Sequence, residues 1–217
     1  MKLLLTSHGP LTEEQESELR KLTAKDFQGL KIIYCITASN KDGGDQTWMI
    51  SNLDRFRDLG FSVDICDIAG ADQNNLLSRF EKADILYFEG GDTPWLLQAI
   101  KASGIAGHLP ELLKTRIWIG VSAGSIVLCP AILASCSEWF NEKPSGFLEG
   151  LNLIDFQFLP HLNSHHFPGN TIDNIENVKR NLEKSGSGKL YCVDDYGAVS
   201  VNGDDVKFIG NSAAFEL

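Results

Sequence analysis

Ile117-Trp118-Ile119-Gly120-Val121-Ser122-Ala123-Gly124-Ser125-Ile126-Val127-Leu128 is an apolar, β-branched run that meets a Gly-x-Ser-x-Gly pentapeptide and continues into residues compatible with a helix. The order reads as a buried strand, a sharp turn and a helix start, which is the context that makes this pentapeptide a nucleophile elbow. A hydroxyl held proud of a strand end needs a strained backbone. A Cβ at Gly120 or Gly124 would collide with the crossing helix and strand. Ser122 is therefore expected to project at the top of a sheet, with the amide of Ala123 beside it and the positive end of a helix opening at Ala123 aimed at the same spot.

Upstream of the elbow the chain alternates strand and helix patterns. Lys2 to Ser7, Lys31 to Thr37, Phe61 to Ile68 and Asp84 to Phe88 read as strands. Between them lie a helix opened by the capping-box pattern Thr12-Glu13-Glu14-Gln15 and running to about Lys25, a helix from about Gln46 to Leu59 stopped by Gly60, and a helical spacing over Gln73 to Glu81. Thr93 as N-cap with Pro94 at the first helical position starts a further helix through Trp95 to about Ala102. Strands separated by helices need crossover connections, so the sheet is expected to be parallel and covered on both faces. In such sheets ligands gather at the carboxyl ends of strands, where Gly90-Gly91 and Ser122 fall. Beyond Pro130 the pattern changes. Phe156 to Leu159 leads to Pro160-His161, a polar stretch spans Asn163 to Asn170, and a helix runs from about Thr171 to Leu182. Ser185 to Gly188 reads as a loop, Leu190 to Val193 and Ala198 to Val201 as strands, and Asn202-Gly203 as a hairpin turn before Val206 to Ile209.

No repeat or linker divides the 217 residues, which are read as one α/β domain. A hydrophobic fraction of 43% and a charged fraction of 22% are those of a globular protein. Nineteen basic against 29 acidic residues give a net charge of -10, which repels phosphate backbones and anionic membranes, so nucleic acid and membrane are not expected partners. Met1 to His8 is too short for a signal-peptide core, and no stretch approaches the ~20 apolar residues that cross a bilayer. Cys35, Cys66, Cys129, Cys136 and Cys192 are odd in number, lie mostly in apolar runs and show no Cys-x-x-Cys spacing, as suits a reducing compartment. A cytoplasmic location follows from this reading.

A nucleophilic serine needs a base, and the base needs an orienting group. Of His8, His108, His161, His165 and His166, only His161 directly follows an apolar strand-like run, which puts it at a strand end as Ser122 is. The spacing His161-x3-His165-His166, without nearby acidic or cysteine ligands, is no recognised zinc pattern, and neither metal nor cofactor is expected. Asp194 and Asp195, where the Leu190 to Val193 strand ends, are the acid candidates. If the extended conformation continues through them, they point to opposite faces and cannot both reach one imidazole. For the oxyanion, Ala123 offers one amide, and Gly91, lacking a side chain, offers a second.

The chain resembles the serine peptidases that include aspartyl dipeptidase and cyanophycinase. The resemblance is carried by Phe88-Glu89-Gly90-Gly91-Asp92, Gly120-Val121-Ser122-Ala123-Gly124-Ser125, Leu159-Pro160-His161 and Val193-Asp194-Asp195-Tyr196-Gly197-Ala198. It implies a three-layer α/β sandwich with a mostly parallel central sheet, like the class I glutamine amidotransferases (flavodoxin-like), here with a C-terminal β-hairpin. It also implies Ser122 as nucleophile, His161 as base, Asp194 or Asp195 as acid and Gly91 with Ala123 as oxyanion hole. The family's acidic residue stands just before a glycine, and Asp195, separated from Gly197 by Tyr196, is the closer match. Two departures stand out. The family has Gly-Gly-Asn where this chain has Gly91-Asp92, and the basic residue that the aspartyl dipeptidase branch places after the histidine region is missing, since no Arg or Lys precedes Lys179 there.

The expected activity is hydrolysis of short peptides by a dipeptidase-like serine exopeptidase, through an acyl-enzyme, with a homo-oligomer compatible with the reading. Two rivals share the elbow. An esterase or acyltransferase of the α/β-hydrolase type orders its triad Ser, acid, His, whereas here the acid pair follows His161. A binding protein that keeps the fold without turnover is the other.

Overall fold

Along each central strand the apolar side chains alternate between two separate cores. Leu3 and Leu5, Ile33 and Cys35, Leu86 and Phe88, and Trp118 belong to one; Leu4, Ile32 and Tyr34, Ile85 and Tyr87, and Ile117 and Ile119 belong to the other. A strand apolar on both faces is stable only between two layers, and helices supply them. The computed structural model describes residues 1–41, 43–183 and 188–216. In chain order it contains β1 (Lys2–Thr6), α1 (Glu13–Thr23), β2 (Lys31–Cys35), α2 (Thr47–Asp58), β3 (Ser62–Cys66), α3 (Gln73–Lys82), β4 (Ile85–Phe88), α4 (Thr93–Ala102), α5 (Leu109–Leu112), β5 (Ile117–Val121) and α6 (Ala123–Ile126). There follow β6 (Ala131–Ile132), β7 (Leu148–Glu149), β8 (Gln157–Leu159), α7 (Ile175–Glu183), β9 (Lys189–Val193), β10 (Ala198–Asn202), β11 (Asp205–Ile209) and β12 (Ser212–Glu216).

The seven-stranded sheet has the order β11-β10-β1-β5-β4-β2-β3. β1, β5, β4, β2 and β3 run parallel, and β10 and β11 join antiparallel as the C-terminal hairpin, which turns at Gly203 with φ 64°. Leu19 and Leu22 of α1 and Phe56 of α2 pack on one face; Leu76 and Phe80 of α3 and Leu96, Leu97 and Ile100 of α4 pack on the other. Thr12 caps α1 through the expected capping box with Gln15. Among the described residues no helix is long and apolar enough to cross a membrane. All five cysteines are free and buried.

Three details depart from expectation. The N-cap of α4 is Asp92, whose side chain accepts the Trp95 amide, and Thr93 is already inside the helix. Asp and Asn cap about equally well, so Asp92 can do the local structural work of an asparagine there. The helix after the elbow is one turn long, so only a small dipole faces Ser122. β8 and β9 fall on runs read as strands, but β12, and the joining of the three into a second sheet of order β12-β9-β8, have no counterpart in the sequence pattern. Of the loop expected at 185–188, only Gly188 is among the described residues.

β5 lies between β1 and β4, so its carboxyl end, and Ser122 with it, stands in the middle of the sheet. In the smaller sheet β8 and β9 pair in parallel with Leu159 opposite Cys192, and the Leu162 amide donates to the Val193 carbonyl. This register sets the residues after β8 beside the residues after β9. It is the reason His161 meets the aspartate pair.

Candidate active site

Ser122 has φ 45° and ψ -105°, a conformation that costs a non-glycine residue about 1–3 kcal/mol. The surroundings hold it there. A Cβ on Gly120 would lie 2.4 Å from the Gly124 carbonyl oxygen, and one on Gly124 would lie 2.0 Å from the Phe88 carbonyl oxygen. Trp118 stacks on Phe88 with ring centroids 3.9 Å apart, and its indole N–H donates to the Gly124 carbonyl at 3.0 Å. Ser125, fully buried, donates to the carbonyls of Thr6 and Gly120 and so clamps the turn to β1 and β5. We expect Gly124→Ala to cost about 3 kcal/mol or more, because the Cβ meets main chain that cannot yield. Calorimetry should show the melting temperature lowered by roughly 5–10 °C.

His161 also has a positive φ, 64°, and only 6% of it is exposed. Its Nε2 lies 3.0 Å from Ser122 Oγ and its Nδ1 2.7 Å from Asp195 Oδ1. With Nδ1–H donating to Asp195, Nε2 is left as an acceptor for the Ser122 hydroxyl. Phe167 stacks on the imidazole at 4.6 Å, and the His161 amide donates to Ser7 Oγ at 2.8 Å. Burial lowers the His161 pKa, and it outweighs the Asp195 carboxylate, which raises it. For Asp195, burial pushes the pKa up, but hydrogen bonds from His161 and Ser164 overcome this and hold it below the usual carboxylate range. Both shifts favour a neutral imidazole beside an ionised carboxylate, the resting state of a general base.

Asp194 and Asp195 do part company, though not by strand alternation. β9 ends at Val193, and the Gly197 amide donates back to the Asp194 carbonyl at 3.1 Å, closing a turn. Asp194 accepts the Tyr196 amide through Oδ1 and the Asn211 amide group through Oδ2, away from the imidazole. Asp195 Oδ2 accepts from Ser164 Oγ at 2.7 Å. Ser164 and Ser7 lie outside the set that the sequence motifs mark. A polar residue directly after strand β1, in a chain whose sites gather at strand ends, is the available signal for Ser7; nothing in the sequence marks Ser164.

Gly91, at φ 135°, packs so closely on the loop after β2 that a Cβ would lie 2.3 Å from the Ala38 carbonyl oxygen. A Cβ built on the preceding Gly90 would be 3.5 Å from Ser122 Cβ, so this turn borders the nucleophile. Among the described residues the amides of Gly91 and Ala123 donate to no protein acceptor, which leaves both available to an oxyanion. Asp92 caps α4 and pairs with Lys41 at 2.5 Å. His165 and His166 are exposed, and no three His, Cys, Asp or Glu side chains among the described residues gather as a metal-holding group.

Residues 3–209 match the model of peptidase family S51. The chain belongs to that family. It is therefore a peptidase, as the resemblance implied. An uncharacterized peptidase of Listeria monocytogenes is 28% identical over 91% of this chain and 90% of its own length. Another, from Pasteurella multocida, is 25% identical over 87% of this chain and 89% of its own. Peptidase E of Salmonella paratyphi C is 34% identical over a shorter stretch, 39% of this chain and 37% of that protein. Among solved structures, a Listeria monocytogenes protein named for peptidase E superposes with a TM-score of 0.75 at 23% identity, covering 97% of this chain and 98% of the other. A peptidase from an acI-B1 Actinobacterium superposes with a TM-score of 0.73 at 19% identity, covering 100% of this chain and 90% of the other. The S51 fold is thus the frame in which the Ser122, His161 and Asp195 side chains meet.

Proposed function

We propose that this S51 peptidase is a serine-type exopeptidase acting on short peptides through an acyl-enzyme, with Ser122 as nucleophile, His161 as general base and then acid, and Asp195 as the group that orients the imidazole. The observation that carries the reading is the continuous relay from Ser122 Oγ to His161 Nε2 at 3.0 Å and from His161 Nδ1 to Asp195 at 2.7 Å. Ser122 attacks the scissile carbonyl as its proton passes to Nε2; the oxyanion is received by the Gly91 and Ala123 amides; the proton then goes to the leaving amine, and water repeats the sequence on the ester. The preference for short peptides rests on the resemblance to the aspartyl dipeptidases. Without a basic residue between His161 and Lys179, the reading does not extend to a requirement for amino-terminal aspartate.

The chain order, with the acid after the histidine, speaks against the α/β-hydrolase rival. The intact relay and the strained serine speak against a binding protein without turnover. A screen of dipeptides, isopeptides and simple esters tests all three, since turnover confined to esters favours the esterase and no turnover with no fluorophosphonate labelling favours the binding protein. The base must be neutral to act, and burial favours the neutral form of His161. On the acid side kcat/KM should therefore rise with pH through a midpoint below the ordinary histidine value of about 6.5. The absence of any rising limb below that value would mean that another group supplies the base.

A further inference from the structure

Glu89, directly after β4 and directly before the Gly90-Gly91 turn, is a fully buried carboxylate that takes no part in the relay. Its surroundings are built for the ionised form. Oε1 accepts from Asn52 Nδ2 at 2.9 Å and from the Gly90 amide at 3.3 Å, Oε2 accepts from the Tyr34 hydroxyl, and the Tyr87 phenol also hydrogen-bonds to it. Each of these neighbours presents a donor. An added proton needs an acceptor among them: the Tyr34 hydroxyl serves by giving its own proton to the Met49 carbonyl at 3.1 Å, and Asn52, whose Oδ1 is buried there without a partner among the described residues, serves by turning its amide over. The carboxylate thus grips the main chain of the turn that borders Ser122.

We propose that Glu89 is a positioning residue for acyl transfer: its ionised carboxylate, anchored by Tyr34, Tyr87 and Asn52, holds the Gly90-Gly91 turn in the conformation that serves the oxyanion at Ser122. This rests on the serine-peptidase reading. The ionisable groups facing Glu89 are the phenols of Tyr34 on β2 and Tyr87 on β4, both kept un-ionised by burial, while α2 contributes the uncharged Asn52. Burial pushes the Glu89 carboxyl up to about 7, against the hydrogen bonds that lower it. Both forms are then populated near neutral pH, and protonation takes the charge from the hydrogen bond to the Gly90 amide and weakens the hold on the turn. Because misplacing a reacting group by about 1 Å can cost ~10²-fold, even a small shift of this turn is felt at the serine.

The rate of Ser122 phosphonylation by a fluorophosphonate, followed on the full chain from about pH 5 to about pH 9, reads the step without a known substrate. Wild type should show two rising limbs, one from His161 and one near neutrality from Glu89. Glu89→Gln should remove the second limb and leave the rate about tenfold or more below wild type at the alkaline end. Should Glu89→Gln fail to fold, Tyr34→Phe tests the same point. It deletes a hydrogen bond that favours the carboxylate, so the second limb must move to higher pH. A Glu89→Gln rate within about twofold of wild type throughout, or a limb unmoved by Tyr34→Phe, overturns the proposal while labelled Ser122 keeps the peptidase reading standing. No labelling of wild type would instead sink that reading, and this inference with it.

Discussion

Replacing Ser122 by alanine is expected to lower peptide turnover by ~10⁴ to 10⁶ while leaving the melting temperature within a few degrees of wild type. The loss is large because no neighbour can substitute. The next hydroxyl, Ser125, is fully buried and spends itself on the carbonyls of Thr6 and Gly120. The thiol of Cys136 lies 3.9 Å from Ser122 Oγ, but burial pushes it up to about 12 and keeps it un-ionised. Stability is expected to hold because, among the described residues, Oγ hydrogen-bonds only to the His161 ring and that thiol, whereas the turn itself is fixed by the glycines, Trp118 and Ser125. The same variant should resist a serine-directed phosphonate completely. Labelling at Ser125, or turnover within tenfold of wild type, would remove Ser122 from its role.

The parallel sheet, the elbow and the position of His161 are legible in the sequence because local signals and tertiary need agree at each. Continuous apolar strands alternate with capped helices, and the two glycines of the elbow are placed where a Cβ would strike the main chain. What escapes a reading of the sequence is decided by pairing distant in the chain. β12 gives little strand signal by itself and is recruited by β9; Ser7 acquires its partner only when β1 is brought to His161, and Ser164 only when the residues after β9 bring Asp195 to those after β8. The N-cap of α4 falls one residue from its expected place because Asp92 and Thr93 are both good caps, and the choice goes to the residue held by the Asp92 amide bond to the Ala38 carbonyl. The helix after the elbow is shorter than its apolar sequence suggests for a similar reason. Leu128 and Cys129 are apolar enough to continue it, but Pro130 cannot, and the Leu151 amide takes the Val127 carbonyl and the Leu153 amide that of Leu128.

The two aspartates provide the sharpest test of how the relay is oriented. Asp195→Asn is expected to lower kcat by ~10⁴, since an amide can present its oxygen to His161 Nδ1–H or to Ser164 but not to both, and the negative charge that stabilises the imidazolium is gone. With an amide N–H turned toward the ring, the tautomer with Nε2 protonated is favoured, and Ser122 loses its acceptor. The acid limb should also move to lower pH, because the Asp195 carboxylate is what raises the His161 pKa against burial. Asp194→Asn should behave differently. It keeps one of two local acceptors, so it should cost about 0.5–1.5 kcal/mol of stability from the turn to Tyr196 and Asn211 and less than about tenfold in kcat. Steady-state kinetics and thermal melts on the two variants separate a chemical loss from a structural one. Small and equal losses in kcat would place the orienting acid elsewhere or leave Ser122 and His161 working as a dyad, whereas a large loss confined to Asp194→Asn would reverse the assignment of the pair.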